Sequence, residues 1–450
     1  MNPPRHSHPH PHLNFRSRLL ARTVALLSLS AACGVFAADE LESLPSDPYF
    51  APFKPLKAPA ATGSFLQHGD RLAICGDSIT EQRMYSRIIE TYLTVCVPDL
   101  DITVRQYGWS GETAPGFLSR MTNDTLRFHP TVATTCYGMN DHRYQPYTEE
   151  IGKAYRASSR AIIESFKANG VRVVHGSAGT VGKMPSWVNS AKGNVNDLNL
   201  NLLELRNIGI QLATEENVRF ADVFLPMLIG GFNGQKQFGQ DYMVSGKDGV
   251  HPGWAGQLVM AYAFMKATGV DGNLGTITVD MAAGKAEASD GHRVLSATKD
   301  SVEVESSRYP FCATGETDKD SSIRSGMSLV PFNQDLNRLT LRVQQAPARC
   351  VVAWGAASHT YSSEELQKGV NLAADFAVNP FSEAFTKVDD AIGRKQAYET
   401  RQIKDLFHGP EGRADADGTA ALTEKVRTPL AAGIREAFKP VRHTIQLRAE

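Results

Sequence analysis

Short apolar runs alternate with longer amphipathic stretches between about residues 70 and 270. The runs are typical of buried strands and lie at 71–75, 101–108, 131–138, 171–178 and 218–224. Between the third and fourth runs, three-to-four spacing predicts one buried helix face, formed by Ile151, Tyr155, Ser158, Ile162 and Phe166. Strands that recur with helices between them predict a parallel sheet covered on both faces. We therefore expect a three-layer α/β/α fold in this part of the chain.

The pattern changes beyond about residue 273. Four runs alternate apolar and polar residues as antiparallel strands do, namely "TITVDM", "SVEVES", "RLTLRV" and "RCVVAW". Ser362 and Glu365 have the spacing of a capping box, and two helices are predicted, over 382–407 and about 421–438. The closing "HTIQLR" is compatible with one more strand. This region predicts a second domain of mixed β and α type.

Length and composition agree with two domains. The chain has 450 residues, 42% of them hydrophobic and 21% charged, which are globular values. We predict an extended lead-in over 38–68, an α/β domain over 69–272 and an accessory domain of strands and long helices over 273–450. The formal net charge of −1 and the pI of about 6.9 give no electrostatic reason to expect nucleic acid or an anionic membrane as partner.

The N-terminus has the pattern of an export signal. Three arginines between residues 16 and 22 precede the apolar run "TVALLSLSAACGVFA", which ends in a small-residue cleavage site. We expect residues 1–37 to be a signal peptide cleaved after Ala37, and the protein to be periplasmic or extracellular. Lipid attachment at Cys33 is the alternative. The run is too short to span a bilayer comfortably, and no other stretch predicts a transmembrane helix.

The cysteines indicate neither a disulfide framework nor a zinc site. Cleavage after Ala37 would leave five, so at least one thiol would be unpaired. Cys312 with Cys350 is the one pair that we consider for a disulfide. No CxxC or Cys/His ligand spacing occurs, so we expect no structural metal.

Polar residues and glycines directly follow three of the predicted strands. Gly76-Asp77-Ser78 follows the first, "YGWSGET" with Gly111 follows the second, and "YGMNDHRY" with Asn140 follows the third. The carboxyl ends of parallel strands form the edge at which open α/β sheets bind ligands. Three successive loops that offer a hydroxyl, a glycine backbone and a side-chain amide predict a functional site at this edge.

A fourth segment, "DGVHPGWAGQ", supplies the missing chemistry. A serine hydroxyl becomes nucleophilic when an imidazole takes its proton, and the imidazole needs a partner that fixes its tautomer. His251 is the candidate base for Ser78, and Asp248 lies three residues before it, within reach around a turn. The amides of Ser78 and Gly111 and the side chain of Asn140 are candidate donors to the oxyanion.

In order and spacing these blocks resemble the SGNH (GDSL-like) hydrolase family over about residues 70–270. The matching blocks are Gly76-Asp77-Ser78, Gly111, Gly138-Met139-Asn140-Asp141 and Asp248-Gly249-Val250-His251. Ile79 departs from the leucine that the motif's name implies. The resemblance implies a flavodoxin-like sheet, Ser78 as nucleophile, His251 as base and Asp248 as its orienter, without a metal or organic cofactor. The G-x-S-x-G elbow of α/β-hydrolases occurs nowhere in the chain.

Five neighbouring side chains have expected roles. We expect Asp77 and Asp141 to hold loop amides rather than to react. Trp109, His142 and Arg143 flank the blocks and are candidates for contact with substrate.

The function expected from these observations is that of an exported serine esterase. Exported members of the family often resemble carbohydrate deacetylases, so we expect a short acyl group, acetyl above all, on a polysaccharide or a small acylated molecule. A lipolytic esterase or thioesterase is the first alternative and would require a broad apolar groove. A non-catalytic binding or surface module that retains the fold is the second.

Overall fold

Five parallel strands form the central sheet in the order β2-β1-β3-β4-β5. The structure is a computed structural model and describes residues 40–450, so the predicted signal peptide and Cys33 lie outside the described residues. The strands are β1 (Arg71–Gly76), β2 (Thr103–Gly108), β3 (Val132–Cys136), β4 (Arg172–Gly176) and β5 (Arg219–Ala221). Each lies within or next to a run that the sequence predicted. The strand order is that of flavodoxin-like sheets, which confirms the predicted fold class.

Helices cover both faces of this sheet. They are α1 (Ser78–Glu81), α2 (Tyr85–Val95), α3 (Ala114–Asp124), α4 (Glu149–Ala168), α5 (Val195–Glu215), α6 (Phe224–Phe238) and α7 (Trp254–Thr268). Successive side chains of β1 point to opposite faces: Leu72 and Ile74 belong to one buried cluster with α2 and α7, whereas Ala73 and Cys75 belong to another with α3 and α4. The sheet is therefore buried on both sides, as a parallel sheet requires.

The region after α7 contains two further sheets. Its strands are β6 (Asn273–Asp280), β7 (Lys285–Ala288), β8 (His292–Ala297), β9 (Ser301–Ser306), β10 (Arg338–Gln344), β11 (Arg349–Trp354), β12 (Ala357–Ser362), β13 (Val370–Asn371) and β14 (Val441–Ala449). The sheet β12-β11-β14-β9-β8 is antiparallel throughout. In the sheet β13-β10-β6-β7, however, β6 and β10 are parallel, which corrects the expectation that both run antiparallel to their neighbours. Nearly sixty residues separate them, so no hairpin fixes their direction.

The remaining helices lie between and after these strands. They are α8 (Ile323–Leu329), α9 (Phe332–Leu336), α10 (Ser363–Lys368), α11 (Leu372–Asp375), α12 (Ser382–Arg401), α13 (Pro410–Ala414) and α14 (Ala416–Ala437). A π-helical segment, Gln402–Phe407, continues α12 directly. The Ser362 side chain accepts from the Glu365 amide and the Glu365 side chain from the Ser362 amide, so the predicted capping box opens α10.

The C-terminal helices cover the β2 edge of the central sheet. Lys395 of α12 donates to the carbonyl of Val104, and Glu399 accepts from the amide of Gln106. An open strand edge exposes unpaired backbone groups, and these contacts occupy two of them. Residues Glu40–Glu450 form one compact unit, and the predicted boundary at 272/273 falls at the start of β6. The division into an α/β domain and an accessory domain stays a prediction.

Two further features of residues 40–450 concern the cysteines and the apolar character of the helices. Cys75, Cys96, Cys136, Cys312 and Cys350 are all free and buried, so the disulfide considered between Cys312 and Cys350 is not formed. Among these residues, no helix has the length and apolar character to cross a membrane.

Candidate active site

The register of the central sheet brings three loops together at one edge. Gly76, the last residue of β1, is paired with Gly108 of β2 on one side and with Cys136 of β3 on the other. The segments that follow these residues carry Ser78, Gly111 and Asn140. Neighbouring parallel strands therefore bring the three predicted loops to the same place, as the sequence pattern indicated.

Ser78 is the first residue of α1 and is held close to the strand ends. Asp77 is the N-cap, and its Oδ1 accepts from the amide of Ile79 at 2.9 Å, so the Ser78 hydroxyl takes no part in capping. Helix α1 lies directly against β2, where a Cβ on Gly108 would come within 2.1 Å of the Glu81 amide nitrogen. Glycine at this strand end therefore permits the close approach that places Ser78 at the edge.

The imidazole of His251 lies between Ser78 and Asp248. Its Nε2 is 2.8 Å from Ser78 Oγ, and its Nδ1 is 2.7 Å from Asp248 Oδ2. The other oxygen of Asp248 accepts from the amides of Val250 and His251, at 2.9 and 2.8 Å. One carboxylate thus fixes both the turn and the ring of the histidine. Gly249 has φ of +85°, which glycine adopts without strain.

These contacts determine the tautomer of the neutral imidazole. An ionised carboxylate only accepts hydrogen bonds, so Nδ1 carries the proton and Nε2 is the acceptor for the Ser78 hydroxyl. Burial alone would raise the pKa of Asp248, but its hydrogen bonds from His251 and Val250 outweigh burial and hold that pKa below its usual value. Asp248 is therefore ionised at neutral pH.

The candidate oxyanion donors have defined geometry. The Glu112 amide donates to the carbonyl of Trp109, and Gly111 has φ of +74°, which together describe a type II turn over residues 109–112. Asn140 Nδ2 donates to the carbonyl of Glu112 at 3.0 Å, and Asn140 Oδ1 accepts from the Tyr144 hydroxyl at 3.2 Å. A carbonyl oxygen only accepts, so the amide orientation is fixed and its second N–H is left for another acceptor.

Two buried carboxyl groups hold the loops. Asp141 accepts from the amides of Ala114 and Gly138, at 2.9 Å each, and so joins the second loop to the third. Burial raises the pKa of Asp77 to about 7 and that of Asp141 to about 6. Both side chains bond loop amides, which agrees with the structural role expected for them.

An ion pair supports the loop that carries Gly111. Arg120 of α3 donates to both carboxylate oxygens of Glu112, at 2.6 Å each, and both side chains are almost fully buried. The Tyr137 hydroxyl donates to the same carboxylate at 3.0 Å. Two charge-assisted bonds in parallel define direction as well as distance, so they restrain the backbone around Glu112.

The three residues predicted to contact substrate lie in different environments. His142 is fully buried and its Nδ1 is bonded to the carbonyl of Met139, so its position gives no support to contact with substrate. Arg143 is half exposed and paired with Glu150 at 2.8 Å. Trp109 is half-buried, with its ring 4.7 Å from that of His408 in the C-terminal region.

Sequence reasoning missed two aromatic residues at the site. Trp187, in the loop between β4 and α5, is 47% exposed and its ring lies 5.7 Å from the His251 ring. Tyr144 orients the Asn140 amide, as described above. Tyr144 lies close to the "GMND" block in sequence, which was the available signal. Nothing in the sequence of the loop around Trp187 indicated that it reaches the histidine.

Comparison with known proteins concerns the family and the fold. Residues 74–259 match the model of the GDSL-like Lipase/Acylhydrolase family. No curated protein sequence matches the chain. The structure is similar to that of BT4096, a gut microbial diltiazem-metabolizing enzyme, with a TM-score of 0.67 and 21% identity, over 87% of this chain and 100% of that one. At this identity the likeness concerns the fold.

A shorter match covers about half of the chain. Axe2, an acetylxylan esterase from Geobacillus stearothermophilus, has a TM-score of 0.38 and 21% identity, over 46% of this chain and 97% of that one. The family match spans all four sequence blocks up to the histidine. Residues 74–259 therefore form a GDSL-like lipase/acylhydrolase domain, which is a domain of serine ester hydrolases.

Proposed function

We propose that this protein is an exported esterase that removes short acyl groups, acetyl above all, from carbohydrate, with Ser78 as nucleophile. The observation that carries the proposal is the 2.8 Å contact between Ser78 Oγ and His251 Nε2, with His251 Nδ1 bonded to the Asp248 carboxylate. This is the arrangement that nucleophilic acyl transfer requires.

In the proposed reaction, His251 Nε2 takes the hydroxyl proton as Ser78 Oγ attacks the ester carbonyl. The negative oxygen that forms is stabilised by the amides of Ser78 and Gly111 and by the free N–H of Asn140. His251 then gives its proton to the departing alcohol, leaving an acyl-enzyme. A water molecule that His251 deprotonates attacks this ester and releases the acid. Asp248 stabilises the imidazolium in both halves of the reaction.

The surroundings of Ser78 favour a short acyl group. Ser110 and Gly111 are exposed, and the Asp248 side chain is 41% exposed. A long acyl chain needs a continuous apolar surface to remove it from water, and its binding energy scales with that area. Polar and backbone groups exposed beside the nucleophile suit an acetyl group better.

Trp187 favours a carbohydrate as the alcohol. Its exposed ring beside His251 offers a flat apolar face at the side from which the alcohol departs. Such a face suits the C–H face of a pyranose, while the sugar hydroxyls remain in water. The predicted export signal in residues 1–37, a conclusion from sequence alone, would bring the enzyme to environmental polysaccharides.

The test compares the wild type with the Ser78→Ala variant on chromogenic acetyl and longer-chain esters and on acetylated xylan and pectin. We expect serine-dependent release of acetate, with rates that fall steeply as the acyl chain lengthens. Asp77 still caps α1 in the variant, so its melting temperature should equal that of the wild type. Full activity of Ser78→Ala would contradict the mechanism.

Other outcomes identify the alternatives. Preference for long chains would make the protein a lipolytic esterase. No turnover of any ester by the wild type would favour a non-catalytic binding module. Trp187→Ala should raise KM for acetylated oligosaccharides and leave turnover of a small acetyl ester unchanged, with Trp187→Phe as the conservative control. Equal effects on both substrates would contradict the proposed contact between the Trp187 ring and the sugar.

A further inference from the structure

The helix that carries Ser78 and the loop that carries Gly111 are joined by one carboxylate. Glu81 is the last residue of α1, three positions after Ser78, and its Oε2 accepts from the amide of Ser110. Ser110 directly precedes Gly111 in the turn over 109–112. The position of the Gly111 amide relative to Ser78 therefore depends on where Glu81 holds this turn.

The other oxygen of the same carboxylate is bonded to the C-terminal region. Lys404 Nζ lies 2.7 Å from Glu81 Oε1, and the two side chains are 26% and 19% exposed. Burial alone would raise the pKa of Glu81, but the hydrogen bonds from Lys404 and Ser110 hold it below its usual value. The carboxylate is therefore ionised and restrained on both sides.

Lys404 belongs to the π-helical segment Gln402–Phe407. A π-helical turn redirects the side chains of a helix, and such turns occur frequently at functional sites. This segment lies between α12, which covers β2, and α13. The redirected turn brings the ammonium of Lys404 to the catalytic sheet edge, 323 residues along the chain from Glu81.

Trp109 makes a second connection between the same two regions. Its ring lies 4.7 Å from the ring of His408 and 5.4 Å from Lys404 Nζ. His408 Nε2 is in turn 2.8 Å from Asp124 Oδ2 at the end of α3. The first residue of the turn is thus held against the C-terminal region independently of Glu81.

We propose that Glu81 and Lys404 are positioning residues that set the Gly111 amide at the oxyanion, which makes the π-helical segment of the C-terminal region a part of the active site. This rests on the proposed function. Neither side chain touches the substrate. Oxyanion stabilisation depends on distances of about 3 Å that must be preset, and small displacements of catalytic groups cost rate.

Removal of the Glu81–Lys404 ion pair should have a specific kinetic consequence. The contact between Trp109 and His408 joins the same two regions without this ion pair, so removal of the pair should leave the fold intact. Misplacement of an oxyanion donor weakens an interaction made in the transition state, which lowers kcat and leaves KM unchanged. A lower kcat with unchanged stability would therefore distinguish a positioning role from a merely structural one.

The test uses the full-length protein with Lys404→Met, Lys404→Arg and Glu81→Gln. Lys266→Met is the matched control, because Lys266 forms a similar pair with Asp335 at 2.9 Å between α7 and α9. We expect Lys404→Met to lower kcat for a small acetyl ester roughly tenfold, on the scale of small misplacements in active sites. Its KM and melting temperature should match those of Lys266→Met, and Lys404→Arg should restore most of kcat. Lys404→Met with the kcat of the control would overturn the proposal.

A second readout separates this proposal from the proposed function. A fluorophosphonate reacts with an activated serine: Ser78 Oγ bonds to phosphorus, fluoride leaves, and His251 takes the proton. The phosphoryl oxygen of the reagent would occupy the oxyanion position. The labelling rate of Lys404→Met should therefore fall as its kcat does. This readout does not require the natural ester to be among those assayed. Wild type that labels but hydrolyses none of the esters would contradict only the proposed substrate. Wild type that neither labels nor hydrolyses would overturn both proposals.

Discussion

Gly108 lies so close to Glu81 that no side chain fits between β2 and α1. A Cβ on Gly108 would lie 2.1 Å from the Glu81 amide nitrogen and 2.5 Å from the Thr80 carbonyl carbon. These are backbone atoms of the helix that carries Ser78, so they cannot move without displacing the nucleophile.

Gly108→Ala should therefore impair both stability and turnover. We expect a loss of about 1–3 kcal/mol in the free energy of unfolding, as for other overpacked sites, and at least a tenfold loss in kcat. Gly433→Ala is the control, because a Cβ there meets nothing within 4 Å and alanine favours a helix interior. Denaturant titration and ester kinetics on both variants check this. A Gly108→Ala variant with normal kcat would show that α1 adapts without moving Ser78.

Asp248→Asn should inactivate the enzyme with little change in fold. The amide oxygen still accepts from the Val250 and His251 amides, so the turn is kept. The amide nitrogen then faces His251 Nδ1 as a donor and favours the tautomer with the proton on Nε2, which cannot accept from Ser78. We expect kcat to fall by roughly 10⁴, as when a triad carboxylate is replaced by an amide. Steady-state kinetics with a thermal melt check this, and a loss below tenfold would contradict the role of Asp248.

Asn140→Ala should slow the chemical step. Loss of one oxyanion donor costs roughly 10²–10³ in kcat, with KM little changed. Tyr144→Phe removes only the 3.2 Å bond that orients the Asn140 amide, so its kcat should fall less. An effect of Asn140→Ala on KM alone would assign this side chain to substrate binding.

His443 makes the stability of the C-terminal sheets depend on pH. Its Nδ1 accepts from Trp354 at 3.1 Å and its Nε2 donates to Ser306 at 2.9 Å, so the ring is neutral. Burial lowers the pKa of His443 to about 3, whereas an unfolded histidine titrates near 6.5. The unfolded chain therefore takes up the proton first as the pH falls, and the contribution of the neutral ring, complete above about pH 6.5, is lost progressively towards pH 3.

His443→Gln isolates this effect because glutamine does not titrate. Relative to the variant, the wild type should lose about 2–3 kcal/mol of unfolding free energy between pH 7 and pH 4.5. Chemical denaturation of both proteins at the two pH values measures the difference. A pH-independent difference would show that the ring titrates in the folded protein as it does in the unfolded chain.

The sequence alone was sufficient to predict those features that depend on residues close together in the chain. Apolar runs and helical spacing identified all five strands of the central sheet, because a strand buried on both faces needs apolar residues throughout. Asp248 and His251 are three residues apart, so their contact follows from one turn. Parallel neighbours bring their carboxyl ends together, and the loops after β1, β2 and β3 could therefore be assigned to one site from the sequence pattern alone.

Contacts between distant segments could not be obtained in this way. The parallel pairing of β6 with β10, the burial of His142 and the position of Trp187 beside His251 each depend on how separate elements pack. So does the contact of Lys404 with Glu81. The sequence by itself determined the α/β layers, the family and the candidate nucleophile, base and donors, because periodicity and short spacings encode them. Only the tertiary structure decided which residues from elsewhere in the chain complete the site, since nothing local specifies a partner 323 positions away.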